Sequence, residues 1–347
     1  MFGQDIGIDL GTSTVLVYVK GRGIIDREPC VVAVDSGTDR IIAVGAEAQK
    51  MLGRTPGNII AVKPLKDGVI SDYSTAERML KHFVQKSSGH SFIGAFIKPR
   101  MVVSVPSNIT EVEERAVIDA GIQAGAGRVS LVEEPLAAAL GVGINVEEAK
   151  GNVVVDIGGG TCDIAVISLG GIVISSSIKT AGDSFDDAII RYIRKKYNVL
   201  IGERTAEQLK IKIGCVYKRD KLLAMEARGR SLVSGLPKTI QVSSDEILDA
   251  LKESAGAIVD AIRTLLEKTP PELIGDICRN GIVLTGGCSK IYGITNLIWR
   301  ELNMKAKVAD DPETCVVTGL GKAMDHPELL KRCLLYTSPS PRDRTRS

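Results

Sequence analysis

The strongest constraint on this chain is a motif that occurs twice. Ile6-Gly7-Ile8-Asp9-Leu10-Gly11-Thr12 leads into Val15-Leu16-Val17-Tyr18-Val19 and then Gly21-Arg22-Gly23-Ile24. Far downstream, Val153-Val154-Val155 enters Asp156-Ile157-Gly158-Gly159-Gly160-Thr161-Cys162-Asp163, which leaves through Ile164-Ala165-Val166-Ile167 and Gly170-Gly171-Ile172. Each copy reads as strand, acid-Gly-Thr turn, strand, glycines, strand, which is the mark of an internal duplication. Strand character after each turn excludes the P-loop and the dinucleotide fingerprint, in which a Gly-rich turn opens a helix.

Glycines without Cβ atoms let backbone N–H groups close around an anion, and Thr161 adds a hydroxyl donor. Asp156 and Asp163 would repel a polyphosphate held there unless a hard divalent cation such as Mg²⁺, with several waters, lay between them. One such turn reads equally well as an ordinary tight hairpin. Two of them facing each other would hold one polyphosphate from opposite sides, with Asp9 and Asp156 both directed at its metal.

A chain of 347 residues exceeds what one core usually organises, so two α/β domains around a cleft are expected. The expected division is 1–140, with a small subdomain inserted at about 30–90 and 318–335 packing back on it, and 141–317, with a small subdomain at about 183–250. Residues 336–347, rich in Ser, Pro and Arg, show no core pattern and are expected to be disordered or non-native.

Lys plus Arg number 44 against 42 Asp plus Glu, and Arg342, Arg344 and Arg346 of the tail supply the excess, so nucleic acid is not an expected partner. Seven cysteines without a C-x-x-C pair fit neither a disulfide framework nor a zinc site and suggest a reducing compartment. His82, His90 and His326 stand apart and suggest no metal or catalytic role. Asp5 and Asp9 interrupt the opening residues against a signal peptide, and no apolar run reaches the roughly 18 residues of a membrane span. A soluble intracellular protein is expected.

Between the two copies, Ser91-Phe92-Ile93-Gly94-Ala95-Phe96-Ile97 lies among Lys86, Lys98 and Arg100. Phe92, Ile93 and Phe96 are candidates to enter a membrane surface while the cations meet anionic headgroups; a buried loop leading into a strand is the alternative. Thr110 and Glu113 form a capping box that starts a helix running to about Ala124. Glu134-Pro135 opens an alanine-rich helix at a strand-to-helix junction, where cleft residues of α/β folds collect. Glu207 and Lys210 share a helix face and either hold a ribose or form an i,i+3 ion pair. A long helix, capped at Ser244, is expected from Asp245 to Lys268. Gly286-Gly287 precedes a helix, a place for backbone to lie against a nucleoside, or simply for close packing.

With these residues on the page, the chain resembles the actin-like ATPase superfamily and, within it, the MreB family of bacterial cell-shape proteins. The resemblance runs from residue 3 to about 330. It is carried by D-L-G-T from Asp9, G-R-T-P-G-N from Gly53, D-G-V-I-S-D-Y from Asp67, E-E-P-L-A-A-A from Glu133, D-I-G-G-G-T from Asp156 and L-T-G-G from Leu284. It implies an actin-like ATPase fold of two duplicated domains, each with a smaller subdomain, around a cleft holding ATP and Mg²⁺. Asp9, Asp156 and Asp163 would hold the metal or its waters. Gly11, Thr12, Ser13, Thr14, Gly158, Gly159 and Gly160 would grip phosphates, and Glu134 with Thr161 would position the attacking water. Glu207, Lys210, Gly286 and Gly287 would face the nucleoside. The resemblance further implies self-assembly into filaments on the inner membrane face that guide the cell-wall elongation machinery.

Two positions depart from the family pattern: Thr14 stands where an asparagine is usual, and Cys288 where a third glycine is usual. A chaperone of the same superfamily would need a substrate-binding domain after about residue 330. A small-molecule kinase would need a carboxylate base in the cleft, a role that would fall to Glu134.

Overall fold

The computed structural model describes residues 5–88, 98–326 and 334–337. β1 (Ile6–Leu10) and β2 (Thr14–Val19) form the first hairpin, and β3 (Gly23–Pro29) continues the meander. The residues pointing inward, such as Ile6, Ile8, Val15 and Val17, are buried, as strands covered on both faces require. A small sheet follows, with β4 (Val32–Asp35) between β5 (Ile41–Val44) and β6 (Ile59–Val62) and with α1 (Ala46–Met51) packed on it. β6 and the two-residue strands β7 (Leu65–Lys66) and β8 (Val69–Ile70) lie in a stretch whose glycines and prolines suggest loop. Ile59-Ile60-Ala61-Val62 becomes a strand because β4 offers it a partner, which no local signal announces.

Then come α2 (Tyr73–Ser88), β9 (Arg100–Val105), α3 (Glu111–Gln123), β10 (Arg128–Glu133) and α4 (Glu134–Gly141). The capping box of Thr110 and Glu113 starts α3 as expected. β9 joins β1 in parallel and β10 joins β9.

The second half repeats this plan. β11 (Asn152–Ile157), β12 (Cys162–Ser168) and β13 (Gly171–Ile178) form the second meander. α5 (Gly182–Tyr197), β14 (Val199–Leu200), α6 (Glu203–Ile213) and the hairpin β15 (Ala224–Ser231) and β16 (Pro237–Ser243) follow. After α7 (Ser244–Glu267) and α8 (Pro271–Asn280), β17 (Ile282–Thr285) joins β11 in parallel. A 3₁₀ turn (Gly287–Lys290) and α9 (Ile294–Leu302) lead to β18 (Ala306–Val308) beside β17. The order β13-β12-β11-β17-β18 reproduces β3-β2-β1-β9-β10 strand for strand, so the duplication read from the turns extends through each central sheet.

α7 is capped by Ser243, not Ser244. Only Ser243 has a glutamate three residues on, and Glu246 closes the capping box with it. The Ser244 hydroxyl accepts the Leu223 N–H instead, at 3.2 Å.

α10 (Cys315–Asp325) crosses back to pack on α4, β1 and β2. Finally, β19 (Leu334–Thr337) pairs antiparallel with β10, which places Tyr336 and Thr337 opposite Leu131 and Ser130. Setting the chain aside from residue 336 therefore stops two residues short. An edge strand is held by backbone pairing and needs no core pattern of its own.

Candidate active site

Both copies of the acid-Gly-Thr turn sit at hairpin tips, and the tips meet. A Cβ on Gly159 would overlap the Ser13 side chain, and one on Gly160 would overlap Thr12. The Gly158 N–H donates to the Thr161 carbonyl at 2.9 Å, closing the second tip, while the Cys30 N–H donates to the Ser13 carbonyl at 3.0 Å behind the first. Gly11 lies against the Thr14 carbonyl, and Thr14 itself opens β2. A third turn roofs the pair: the Gly68 N–H donates to Thr12 Oγ1 at 2.9 Å, and a Cβ on Gly68 would lie 2.8 Å from Thr161 Cγ2. Asp67 and Gly68 both have positive φ, 51° and 78°, as a two-residue turn between β7 and β8 demands.

Four carboxylates collect beneath the tips. Asp9, at the end of β1, accepts from Ser104 Oγ at 2.8 Å. Asp156, its counterpart in β11, accepts from Thr285 Oγ1 at 2.5 Å. Asp163 Oδ1 accepts the Ser107 N–H at 2.7 Å, whereas its Oδ2 is buried without a hydrogen-bond partner. Glu134 is buried at the first turn of α4. Its neighbour Glu133 is only half-buried and accepts from Ser107 Oγ at 2.6 Å. That distinguishes the two adjacent glutamates in a way the sequence alone does not.

Burial pushes the Asp9 carboxyl up to about 7, helped by the nearby Asp156 charge. Burial likewise raises Asp163 to about 7 and Asp156 to about 6. Glu134 is driven well above its ordinary range, by burial first and then by Asp163, Asp9 and Asp156. Among the described residues no lysine or arginine makes an ion pair with any of the four. Buried carboxylates without cations either hold protons or await a cation from outside.

The unpartnered Asp163 Oδ2 and this all-oxygen donor set fit a divalent metal. Among the described residues no three His, Cys, Asp or Glu side chains converge tightly enough to enclose an ion themselves. The donors therefore fit a Mg²⁺ that keeps waters and phosphate oxygens in its shell rather than one caged by protein.

A stability prediction follows for the ligand-free protein. A carboxyl whose folded pKa exceeds its unfolded value of 3.8 holds more protons when folded. Its stabilising contribution is complete at low pH and lost as pH rises towards about 7. Thermal melting should therefore occur several degrees higher at about pH 5.5 than at about pH 8, a difference on the order of a few kcal/mol. Glu246, held down to about 2, is ionised throughout that window and does not contribute.

The residues expected to face a nucleoside lie on α6 and around the 3₁₀ turn, with α5 packed against them. Lys210 Nζ donates to Asp186 Oδ2 at 2.7 Å and to the Gly182 carbonyl at 2.9 Å. The ion-pair partner of Lys210 is thus Asp186, not Glu207; the fold brings α5 against α6, and the buried acid outcompetes the half-buried one. A Cβ on Gly182 would meet Cys288 Sγ at 2.6 Å, so the thiol fills space beside Lys210. Gly286 is pressed on the Ile157 backbone at φ 80°, and the Gly287 turn is 3₁₀, with the α-helix starting only at Ile294.

At the cleft mouth, Lys63 Nζ stands 3.7 Å from both Asp183 and Glu203, bridging the two halves. Asp183 is tied in turn to the second tip, its N–H donating to the Gly159 carbonyl at 2.8 Å. Phe92, Ile93 and Phe96 lie outside the described residues. Sequence reading missed Ser104, Ser107, Thr285, Gly68 and Asp186. Ser104 and Thr285 were visible as lone polar residues in apolar strands, but which carboxylate each would meet is a matter of strand pairing.

The MreB/Mbl protein family model matches residues 3–332. The chain belongs to the MreB/Mbl family. It is 51% identical to the cell shape-determining protein Mbl of Bacillus cereus, over 96% of this chain and 100% of the relative. It is 49% identical to the cell shape-determining protein MreB of Escherichia coli, over 94% of each chain. MreB5 of Spiroplasma citri, solved with ADP and with AMPPNP, superposes with a TM-score of 0.88 at 41% identity, covering 95% of this chain and 98% of that one. This agrees with the α/β fold of two duplicated halves expected from the family resemblance.

Proposed function

We propose that this MreB/Mbl family member is a slow Mg²⁺-dependent ATPase whose copies assemble into filaments on the inner face of the cytoplasmic membrane. In that setting it organises cell-wall elongation and so determines cell shape. The observation that carries the reading is the pair of opposed hairpin tips over four buried carboxylates that, among the described residues, pair with no lysine or arginine. The ADP- and AMPPNP-bound MreB5 structures support a nucleotide in this cleft, and the names of the Mbl and MreB relatives support the role in cell shape.

In this reading Gly11, Thr12, Ser13, Thr14 and Gly158–Gly160 bind the phosphates, with Lys210, Glu207, Gly286 and Gly287 at the nucleoside. Asp9, Asp156 and Asp163 hold Mg²⁺ or its waters. When bound, the metal neutralises charge on the phosphates and returns the carboxyls to their ionised state. Glu134 and the Thr161 hydroxyl position the attacking water. A carboxyl raised well above its ordinary range can accept one hydrogen bond and donate another, which is enough to place a water. Phosphoryl transfer depends on placement and charge more than on covalent participation by protein groups.

Among the described residues no helix is long and apolar enough to cross a membrane. Attachment is therefore proposed to be peripheral, through Phe92, Ile93 and Phe96. Electron microscopy of the protein with ATP on anionic vesicles tests the whole reading, filaments lying on lipid being the expected result. Serine at Phe92 and Ile93 should release the protein from vesicles and leave ATP binding intact. Phosphate transfer to a sugar instead of water would replace this reading with a kinase.

A further inference from the structure

The chain passes between the two halves twice, through residues 142–151 after α4 and through residues 309–314 before α10. The second crossing is strapped to the 3₁₀ turn by its backbone. The Gly286 N–H donates to the Pro312 carbonyl at 2.8 Å, and the Ala309 N–H donates to the Leu284 carbonyl at 3.0 Å. Gly286 in turn lies against the Ile157 backbone at the entrance to the second phosphate turn. A shift of this crossing would therefore be felt directly by Gly286 and Gly287, two of the residues expected to face a nucleoside.

Glu313 stands in that crossing with its carboxylate between two cations. Its Oε1 accepts at 2.8 Å from Nζ of Lys290, the last residue of the 3₁₀ turn, and its Oε2 pairs with Arg27 of β3 in the first half. The Glu313 Cγ lies 3.7 Å from where a Cβ on Gly287 would stand, so the side chain runs along the turn. It is 24% exposed, against 53% for Arg27 and 51% for Lys290. An isolated surface ion pair contributes little, because two long side chains must be ordered and water screens them. Here one carboxylate, mostly covered and carried on a loop already fixed by backbone hydrogen bonds, serves both cations, so less freedom is lost per contact. Arg27 extends the connection further: it lies two residues before Pro29, which pairs with Thr14 of the first phosphate turn.

We infer that Glu313 is a positioning residue for the nucleotide. Through Lys290 it fixes the turn against which the nucleoside lies, and through Arg27 it ties that turn to the first half, which carries the other phosphate tip. A nucleotide held by both halves leaves only when the turn loosens or the halves part, and this clasp opposes both motions. Glu313 acts through its two cations and not by contact with the phosphates. The inference rests on the nucleotide reading above and adds to it the group that sets how long the nucleotide stays.

The test follows radiolabelled ADP leaving the protein into excess unlabelled ADP, with E313Q, R27M and K290M beside the unaltered chain. E313Q, which keeps the shape and removes the charge, should speed release about 10-fold, and R27M and K290M about 3-fold each, the order set by ion pairs of this exposure. R27M added to E313Q should speed release no further, since the carboxylate that Arg27 pairs with has already gone. Single-turnover ATP hydrolysis, which is complete before product leaves, should stay close to normal in R27M, and each variant should melt close to the unaltered chain. A pair that merely stabilises the fold would lower the melting temperature and leave release unchanged, and that result overturns the inference. Normal release by R27M where K290M is fast also overturns it, because the first half then takes no part. Failure of the unaltered chain to bind ADP overturns the nucleotide reading and this inference together.

Discussion

Glu134→Gln is expected to slow ATP hydrolysis by about 10²–10³-fold while ATP binding stays within a few-fold of normal. The amide keeps the shape of the side chain at the first turn of α4 but changes which of its atoms donate and accept towards water. Stability gives an independent reading of the same substitution. Glu134 is buried beside Asp163, Asp9 and Asp156, each of which raises its pKa, so the ionised group is repelled on three sides. Removing one potential charge from that cluster should leave the melting temperature of the ligand-free protein unchanged or raised near pH 8. Phosphate release under saturating ATP, equilibrium binding of a nonhydrolysable analogue and a thermal melt provide the three readouts. Hydrolysis at the normal rate in this variant removes Glu134 from the mechanism, whatever the other two show.

The largest loss of stability is expected where α4 and α10 cross. A Cβ on Gly319 would coincide with the Ala137 carbonyl, and one on Gly141 with the Cys315 carbonyl, so these helices touch backbone to backbone. α10 is held from its other side as well, because a Cβ on Gly321 would lie 2.6 Å from the Tyr18 ring of β2. Backbone cannot swing aside as a flexible side chain can. Gly319→Val must therefore push α10 off α4 or β2, at a cost of about 3 kcal/mol or more. The gain in helix propensity on losing a glycine is at most ~1 kcal/mol, too small to compensate. Against a total stability of about 5–15 kcal/mol, much of the margin disappears. Gly256 in α7, with nothing within 4 Å of its virtual Cβ, supplies the contrast: Gly256→Ala should stabilise by about 0.5–1 kcal/mol. Urea denaturation of both variants checks the pair, and a Gly319→Val protein as stable as the parent would show that the crossing has slack.

Much of the site could be read in the sequence because its chemistry is local. Asp9, Gly11, Thr12, Asp156, Gly158, Gly160 and Thr161 announce themselves through the repeated acid-Gly-Thr turn, and short turns specify their own conformation through glycine and hydroxyl residues. The α3 capping box was equally plain, since Thr110 and Glu113 lie within one turn. Failures occurred where a partner came from far along the chain. Lys210 faces Asp186 from 24 positions away, and Ser104 reaches Asp9 across 95. At the start of α7, two adjacent serines offered a cap, and the spacing to Glu246 decided between them.

The sequence by itself determined that two similar strand-turn-strand units exist, that each carries an acid at its tip, and that their turns suit an anion. Those properties reside in side-chain type and short-range backbone preference, which need no knowledge of what lies opposite. Only the tertiary structure decided that the tips oppose each other, that four carboxylates share one buried space, and that β6 and β19 are strands. These outcomes depend on strand pairing and helix crossing between residues remote in sequence. The resulting electrostatics also belong to the assembled fold: no carboxyl in the list of residues reveals that burial will hold its pKa near 7.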